Sequence, residues 1–273
     1  MRRVDEQIIT ERHQPIGHAL VILPAICLGV LAMLCASVSP MLWGQQIAAW
    51  MIFTLLAWLL RRAIKRVSAS TLSVILWILL AASLLGEEVG GARRWLDLGI
   101  FNINTAMLVL PVLLVMLFST KCPYPVLLGT AVVLCVQPDL SQLMAFSIAV
   151  LPLLMHRRKE RLWTAACFAA MAALAIRCLL APVSVSPVEY CEGIFAMLGE
   201  VSPFLLFVGV IALAVIPVVF AYHFFRHGRL YLLALAAYYA ITLLFGLSGE
   251  YPVPFMGFGL SPIAGYFLAV ALI

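Results

Sequence analysis

PVLLGTAVVLCVQPDLSQLMAFSIAVLPLLMHRRKER, residues 125–161, forms over 125–155 either one continuous helix or two short ones, and the choice sets the topology of the whole chain. Gln137, Pro138 and Asp139 sit in its middle. Proline inside a helix removes a backbone donor and clashes with the preceding turn, which favours a break there. Charge parity settles the choice. Arg157, Arg158, Lys159 and Arg161 close the stretch, and loops rich in Lys and Arg stay in the cytoplasm. A single span would strand these cations on the far side, whereas a hairpin of two short helices returns them.

Outward from this hairpin, each span needs about 20 apolar residues. Helices are expected near 17–38, 45–60, 69–85 and 103–119 before it, and near 162–180, 203–222, 230–247 and 256–273 after it. All but three of the 17 Lys and Arg fall in the N-terminal tail, at 61–66, at Lys121, at 157–161 or at 226–229, and this path puts them all on one side. The expected fold is an all-α polytopic membrane protein of about ten transmembrane helices with both termini cytoplasmic. A cytoplasmic tail over 1–16 precedes a single transmembrane domain over 17–273, whose main outer loop is 181–202.

Composition agrees. The chain is 65% hydrophobic and 11% charged, against about 25% charged residues in soluble proteins. The run from Ile16 is followed by further spans, so it reads as a retained helix rather than a cleaved signal. The net charge of +5 expresses topology, and no nucleic-acid partner is expected. The seven cysteines are scattered, mostly inside apolar runs, and read as packing residues. No Cys/His spacing suggests zinc.

The acids segregate as sharply as the bases. Glu87, Glu88, Asp97, Asp139, Glu189, Glu192, Glu200 and Glu250 all fall on the outer side. Acids contribute little to orientation, so insertion does not demand this bias. A cation site, or acid/base chemistry on an external substrate, would explain it, and solvated loops explain part of it equally well. The loop at 181–202 gathers Glu189, Glu192 and Glu200 around Pro187 and Gly199. In the first outer loop Arg93 and Arg94, beside Trp95, run against the charge trend. They either pair with Glu87, Glu88 or Asp97, or bind a lipid phosphate, which guanidinium grips in a forked geometry. Asp139 reads as a hairpin cap or a ligand. Glu200 reads as support for a site or as an acid at the start of the span from Pro203. Arg177 can snorkel or pair with one of these acids.

At these residues the chain resembles a family. Gly91-Ala92-Arg93-Arg94-Trp95, followed by Leu98-Gly99, is similar to a loop of the SEDS proteins, the FtsW, RodA and SpoVE group that polymerises peptidoglycan glycan strands. Gln137-Pro138-Asp139-Leu140 matches that family's Gln-Pro-Asp-Leu-Gly, with Ser141 replacing the glycine. Phe255-Met256-Gly257-Phe258-Gly259 resembles the glycine-rich entrance to its last helix. Pro187 is followed, at the family's spacing, by Glu192-Gly193-Ile194-Phe195-Ala196, so the family's catalytic aspartate falls on Glu192. The chain departs from the family at Thr105 and Leu108, where the family carries an acid and a lysine, and in its shorter loop before Pro203.

The resemblance implies a glycosyltransferase that polymerises lipid II at the outer face of the bacterial inner membrane, in cell-wall synthesis linked to cell shape or cell division. Glu192 would be the general base. Arg93 or Arg94 would stabilise the leaving pyrophosphate, and Trp95, Asp139 and Glu200 would complete the substrate site. The implied partners are lipid II, a class B penicillin-binding transpeptidase and the lipid bilayer. No metal ligands are assigned, although three outer carboxylates would suit a divalent cation. A second reading is a catalytically eroded relative that acts as a membrane scaffold or regulator and binds the transpeptidase or lipid II. A transporter is disfavoured by the lack of ionisable groups near the bilayer midplane.

Overall fold

The computed structural model describes residues 2–64, 67–97, 99, 102–157, 160–181 and 186–273, with side chains from residue 15 onward except 62–64. Lys65, Arg66, Leu98, Arg158, Lys159 and residues 182–185 lie outside the described residues, as do the side chains of Arg62 and of the charged N-terminal tail.

The chain is helical almost throughout. In order it forms α1 (Arg2–Cys35), α2 (Pro40–Ile64), α3 (Ala69–Ala82), α4 (Thr105–Leu117), α5 (Tyr124–Val136), α6 (Leu140–Ala149), α7 (Leu151–His156), α8 (Arg161–Leu179), α9 (Ile194–Val201), α10 (Pro203–His227), α11 (Leu230–Gly246) and α12 (Leu260–Leu272). Pro15–Cys35, Pro40–Arg61, Arg161–Leu179 and Pro203–His227 are long and apolar enough to cross a membrane by themselves. Shorter apolar helices occupy Ala69–Leu85, Thr105–Leu117, Tyr124–Val136, Leu140–His156, Leu230–Gly246 and Leu260–Leu272. Each falls on one of the expected spans.

The decisive stretch does break. Helix α5 stops at Val136, and the Asp139 side chain caps α6 by accepting from the Gln142 amide at 3.2 Å. A second interruption follows at Val150, with Pro152 in the first turn of α7, where its missing N–H would be unpaired anyway. Pro24, Pro111 and Pro217 lie inside unbroken helices.

The centre is built on α4 and α12. Every residue of α4 except Leu108 is buried, and α12 is buried along most of its length. Their backbones touch because Gly265 has no side chain: a Cβ there would stand 2.3 Å from the Met107 carbonyl oxygen. Helix α2 covers α12, α11 packs between α6 and α10, and α1 packs against α2, α9 and α10. An aromatic cluster of Phe220, Tyr239, Phe255 and Tyr266 ties α10, α11 and α12 together, and His18 of α1 shares a 2.7 Å hydrogen bond with the Tyr266 hydroxyl. Helix α8 is peripheral. It packs on α5 and α6 and fully buries only Cys167, Met171 and Cys178, which share one helical face.

The loop between α3 and α4 holds structure that the sequence reading did not anticipate. Strand β1 (Trp95–Asp97) pairs antiparallel with β2 (Asn102–Asn104), Trp95 opposite Asn104 and Asp97 opposite Asn102. Asn104 then caps α4, its side-chain oxygen accepting from the Met107 amide at 3.1 Å. The hairpin therefore runs directly into the central helix.

Candidate functional site

A cavity of about 530 Å³ opens at the hairpin end of the bundle. One wall is the β hairpin, with Trp95, Asp97 and Asn104. The loop before α9 contributes Tyr190 and Glu192, and the entrance to α12 contributes Phe258 and Ser261. Ser261 also fastens the hairpin to α12, accepting from the Asn104 amide at 2.9 Å.

Glu192 is only 7% exposed. The Val188 amide donates to its Oε2 at 2.9 Å, and the Glu192 amide donates back to the Val188 carbonyl at 2.9 Å, closing a tight turn. One carboxylate oxygen is thus held by backbone while the residue lines the cavity. A carboxylate so fixed is pre-oriented to accept a proton from a hydroxyl placed in that space.

The turn is clamped by the entrance to α12. The Phe258 amide donates to the Tyr190 carbonyl at 2.8 Å, the Val253 amide reaches the Cys191 carbonyl at 3.4 Å, and the two aromatic rings meet edge to face at 6.0 Å. Gly257 is required here, since a Cβ would come within 2.3 Å of the Cys191 carbonyl oxygen. The Cys191 thiol donates to the Phe258 carbonyl at 3.3 Å. Burial, reinforced by the neighbouring Glu192 carboxylate, pushes that thiol up, which keeps it a protonated donor. Beneath the clamp, the buried Gln46 amide of α2 donates to the Phe255 carbonyl at 2.6 Å. Phe255 has φ +68°, a conformation that a non-glycine residue holds only when its surroundings impose it.

The other residues singled out from the sequence lie elsewhere. Arg94 and Asp139 form a separate buried pair, their side chains 7% and 3% exposed. Arg94 Nη2 donates to the Pro138 carbonyl at 2.6 Å, and Nε stands 3.7 Å from Asp139 Oδ2. The guanidinium also lies 6.0 Å from the centre of the Tyr251 ring. Burial raises the Tyr251 hydroxyl, with Arg94 pulling the other way. Asp139 Oδ1 accepts from Ser141 Oγ at 2.9 Å as well as from the α6 N-terminus. Gln137 donates to Ser83 Oγ and to the Leu80 carbonyl, and Gln142 accepts from the Tyr238 hydroxyl at 2.7 Å. Together these bonds lock the hairpin turn between α5 and α6 against α3 and α11.

Arg93 is exposed and pairs with Glu88 at 3.2 Å. Glu200 is exposed near the end of α9, and the cap of α10 is Ser202, whose hydroxyl accepts from the Phe204 amide at 3.2 Å. Glu189 is exposed. Arg177 donates to the Cys135 sulfur at 3.2 Å, and no ion pair joins it to an acid among the described residues. No group of three or more His, Cys, Asp or Glu among the described residues is arranged to hold a metal ion. Thr105 Oγ1 is buried without a partner. Leu108 lines an adjacent apolar cavity of about 330 Å³ between α2, α4 and α12, which shares Ser261 with the first.

Tyr190, Ser261 and Gln46 were not singled out from the sequence, and Phe258 was named only within a motif, with no role at the site. Phe258 had a local signal in the glycine-rich entrance to α12. Gln46 had a weaker one, as a polar residue in an otherwise apolar stretch.

No family model and no curated protein sequence matches the chain. Solved structures do. The crystal structure of the rod shape determining protein RodA of Thermus thermophilus superposes with a TM-score of 0.64 at 22% identity, covering 93% of this chain and 95% of that one. An aspartate-to-alanine variant of the same protein gives 0.65 at 21% identity, with the same coverage. A structure described as showing the coordination of polymerization and crosslinking by a peptidoglycan synthase complex gives 0.69 at 20% identity, covering 93% of this chain and 96% of that one. The chain has the fold of RodA, an all-helical multi-pass membrane protein.

Proposed function

We propose that this chain, built on the RodA fold, is a peptidoglycan glycosyltransferase of the SEDS type that polymerises lipid II at the outer face of the bacterial inner membrane. The observation that carries this reading is Glu192, a buried carboxylate held by backbone and lining an open cavity at the end of the bundle away from the basic loops. In the reaction, a sugar hydroxyl attacks the anomeric carbon of the growing chain, the new glycosidic bond forms as the bond to pyrophosphate breaks, and Glu192 takes the hydroxyl proton. Trp95, Tyr190 and Phe258 offer apolar faces for the sugar.

Neither arginine lines the cavity, and of the two only Arg93 is exposed and able to swing toward a leaving pyrophosphate. Its exposed contacts, the pair with Glu88 and a bond to the Leu84 carbonyl at 3.2 Å, are of a kind that contributes little and exchanges readily. Arg94 and Asp139 serve the frame, and Glu200 stands apart from the cavity. The synthase complex among the structural neighbours coordinates polymerization with crosslinking, which supports pairing this chain with a crosslinking enzyme, a class B penicillin-binding transpeptidase.

A second reading rests on Thr105 and Leu108. The unpaired hydroxyl of Thr105 and the apolar surroundings of Leu108 occupy positions where the family carries an acid and a lysine, and favour an eroded relative that binds without catalysis. Incubating the purified protein with lipid II, alone and with class B transpeptidases, separates the two. Glycan polymer is the result expected of an enzyme. Binding of lipid II or transpeptidase without polymer would establish the scaffold.

A further inference from the structure

At the basic end of the bundle a cavity of about 340 Å³ opens between α7 and α8, lined by Leu154 and Met155 on one side and by Arg161, Thr164, Ala165 and Phe168 on the other. Its wall is apolar except at Arg161 and Thr164. Helix α8 packs on α5 and α6, so the seam toward α7 has no covering helix among the described residues. Arg161 is exposed and makes no hydrogen bond or ion pair with any described residue. The adjacent Glu160 is 3.7 Å from Arg157. Arg157 is itself committed to the carbonyls of Thr120 and Lys121, at 2.7 and 2.9 Å.

A further feature adds to Arg161 at the mouth of this cavity. The N-terminus of α8 has no side-chain cap, so its first amide groups remain available to a negatively charged oxygen. Thr164, one turn into the helix and partly buried, faces the Tyr124 hydroxyl. Trp163, 58% exposed, stacks on Tyr124 at 6.1 Å beside this mouth, and tryptophan favours the depth at which lipid headgroups lie.

We propose that this seam is a binding site for an anionic phospholipid, with an acyl chain in the cavity and the phosphate on Arg161 and the first turn of α8. The charge complementarity selects the headgroup, since basic pockets between helices at a membrane surface take anionic lipids. The acyl chain completes the wall that α8 lacks. This site stands at the opposite end from Glu192 and does not depend on the chain being an enzyme.

The test titrates the purified protein in detergent with phosphatidylglycerol or phosphatidylcholine of matched chains, following lipid binding and the thermal midpoint. Phosphatidylglycerol is expected to bind about fivefold more tightly, the worth of one basic side chain at an anionic surface. Arg161→Gln is expected to remove that preference. Ala165→Trp, which fills the cavity and leaves Arg161 in place, is expected to abolish binding of both lipids. Both positions are exposed, so neither change burdens the core. Equal affinity for the two lipids in the wild type, an undiminished preference in Arg161→Gln, or undiminished binding in Ala165→Trp would each overturn the proposal. So would stabilisation by inorganic phosphate alone equal to that by phosphatidylglycerol.

Discussion

Asp139 and Glu192 are buried carboxylates at the same end of the molecule, and both lie in motifs that resemble one family, yet their surroundings differ. Asp139 gives one oxygen to Ser141 and the α6 N-terminus, and turns the other toward Arg94. Glu192 accepts one backbone amide and lines an open cavity. The first faces a buried countercharge inside the frame, and the second keeps capacity for a ligand. Burial and motif alone do not separate them. What separates them is whether a buried countercharge faces the group and whether open space lies beside it.

The largest effect expected is on the frame. Arg94→Ala or Asp139→Ala leaves one buried charge without its partner, at a cost of about 3–5 kcal/mol, measurable by thermal or denaturant unfolding in detergent. Replacing both by apolar residues, Arg94→Met with Asp139→Leu, is expected to cost much less than the sum of the singles. Single losses below about 1 kcal/mol, the range of exposed pairs, would remove the distinction between the two acids.

Smaller changes probe the clamp behind Glu192. Gly257→Ala forces a methyl group against the Cys191 carbonyl and is expected to cost about 1–3 kcal/mol while lowering polymerisation more than stability, since the displaced turn is the one that holds Glu192. Gln46→Leu removes the donor to the Phe255 carbonyl, at about 1–3 kcal/mol, and the same paired measurement of unfolding and turnover checks it. If either variant kept wild-type turnover despite its loss of stability, the clamp would be structural only. The smallest effect is at Arg93. Its alanine variant is expected to change stability by less than about 1 kcal/mol, with any loss appearing in turnover.

The helical layout was legible because apolar runs and basic clusters are long-range averages that survive local error. Pro138 marked where the hairpin could break, and the basic cluster at 157–161 decided that it does. The β hairpin was not legible, since strands as short as Trp95–Asp97 leave too little alternation to read. Trp95 and Glu192 were picked out by motif, and the structure brings them to one cavity. Arg94 and Asp139 were also picked out, and meet in a contact of their own. Glu200 was grouped with Glu192 by proximity in sequence. However, the helix from Ile194 carries it about 9 Å along its axis, to an exposed face it shares with Ala196. Gln46 and Phe255, so far apart in the chain, meet only through tertiary packing, which no local pattern reports.

The most direct test is lipid II polymerisation by Glu192→Ala and Glu192→Asp beside the wild type, with unfolding measured on the same preparations. A general base contributes about 10²–10⁴-fold. Glu192→Ala is therefore expected to lose at least about 100-fold in rate with its stability nearly intact, and Glu192→Asp, which retains a carboxylate, to recover part of that loss. Polymer formation by Glu192→Ala at the wild-type rate would contradict the assignment of Glu192 as the catalytic base and return the search to the other carboxylates of the cavity, Glu87 and Asp97.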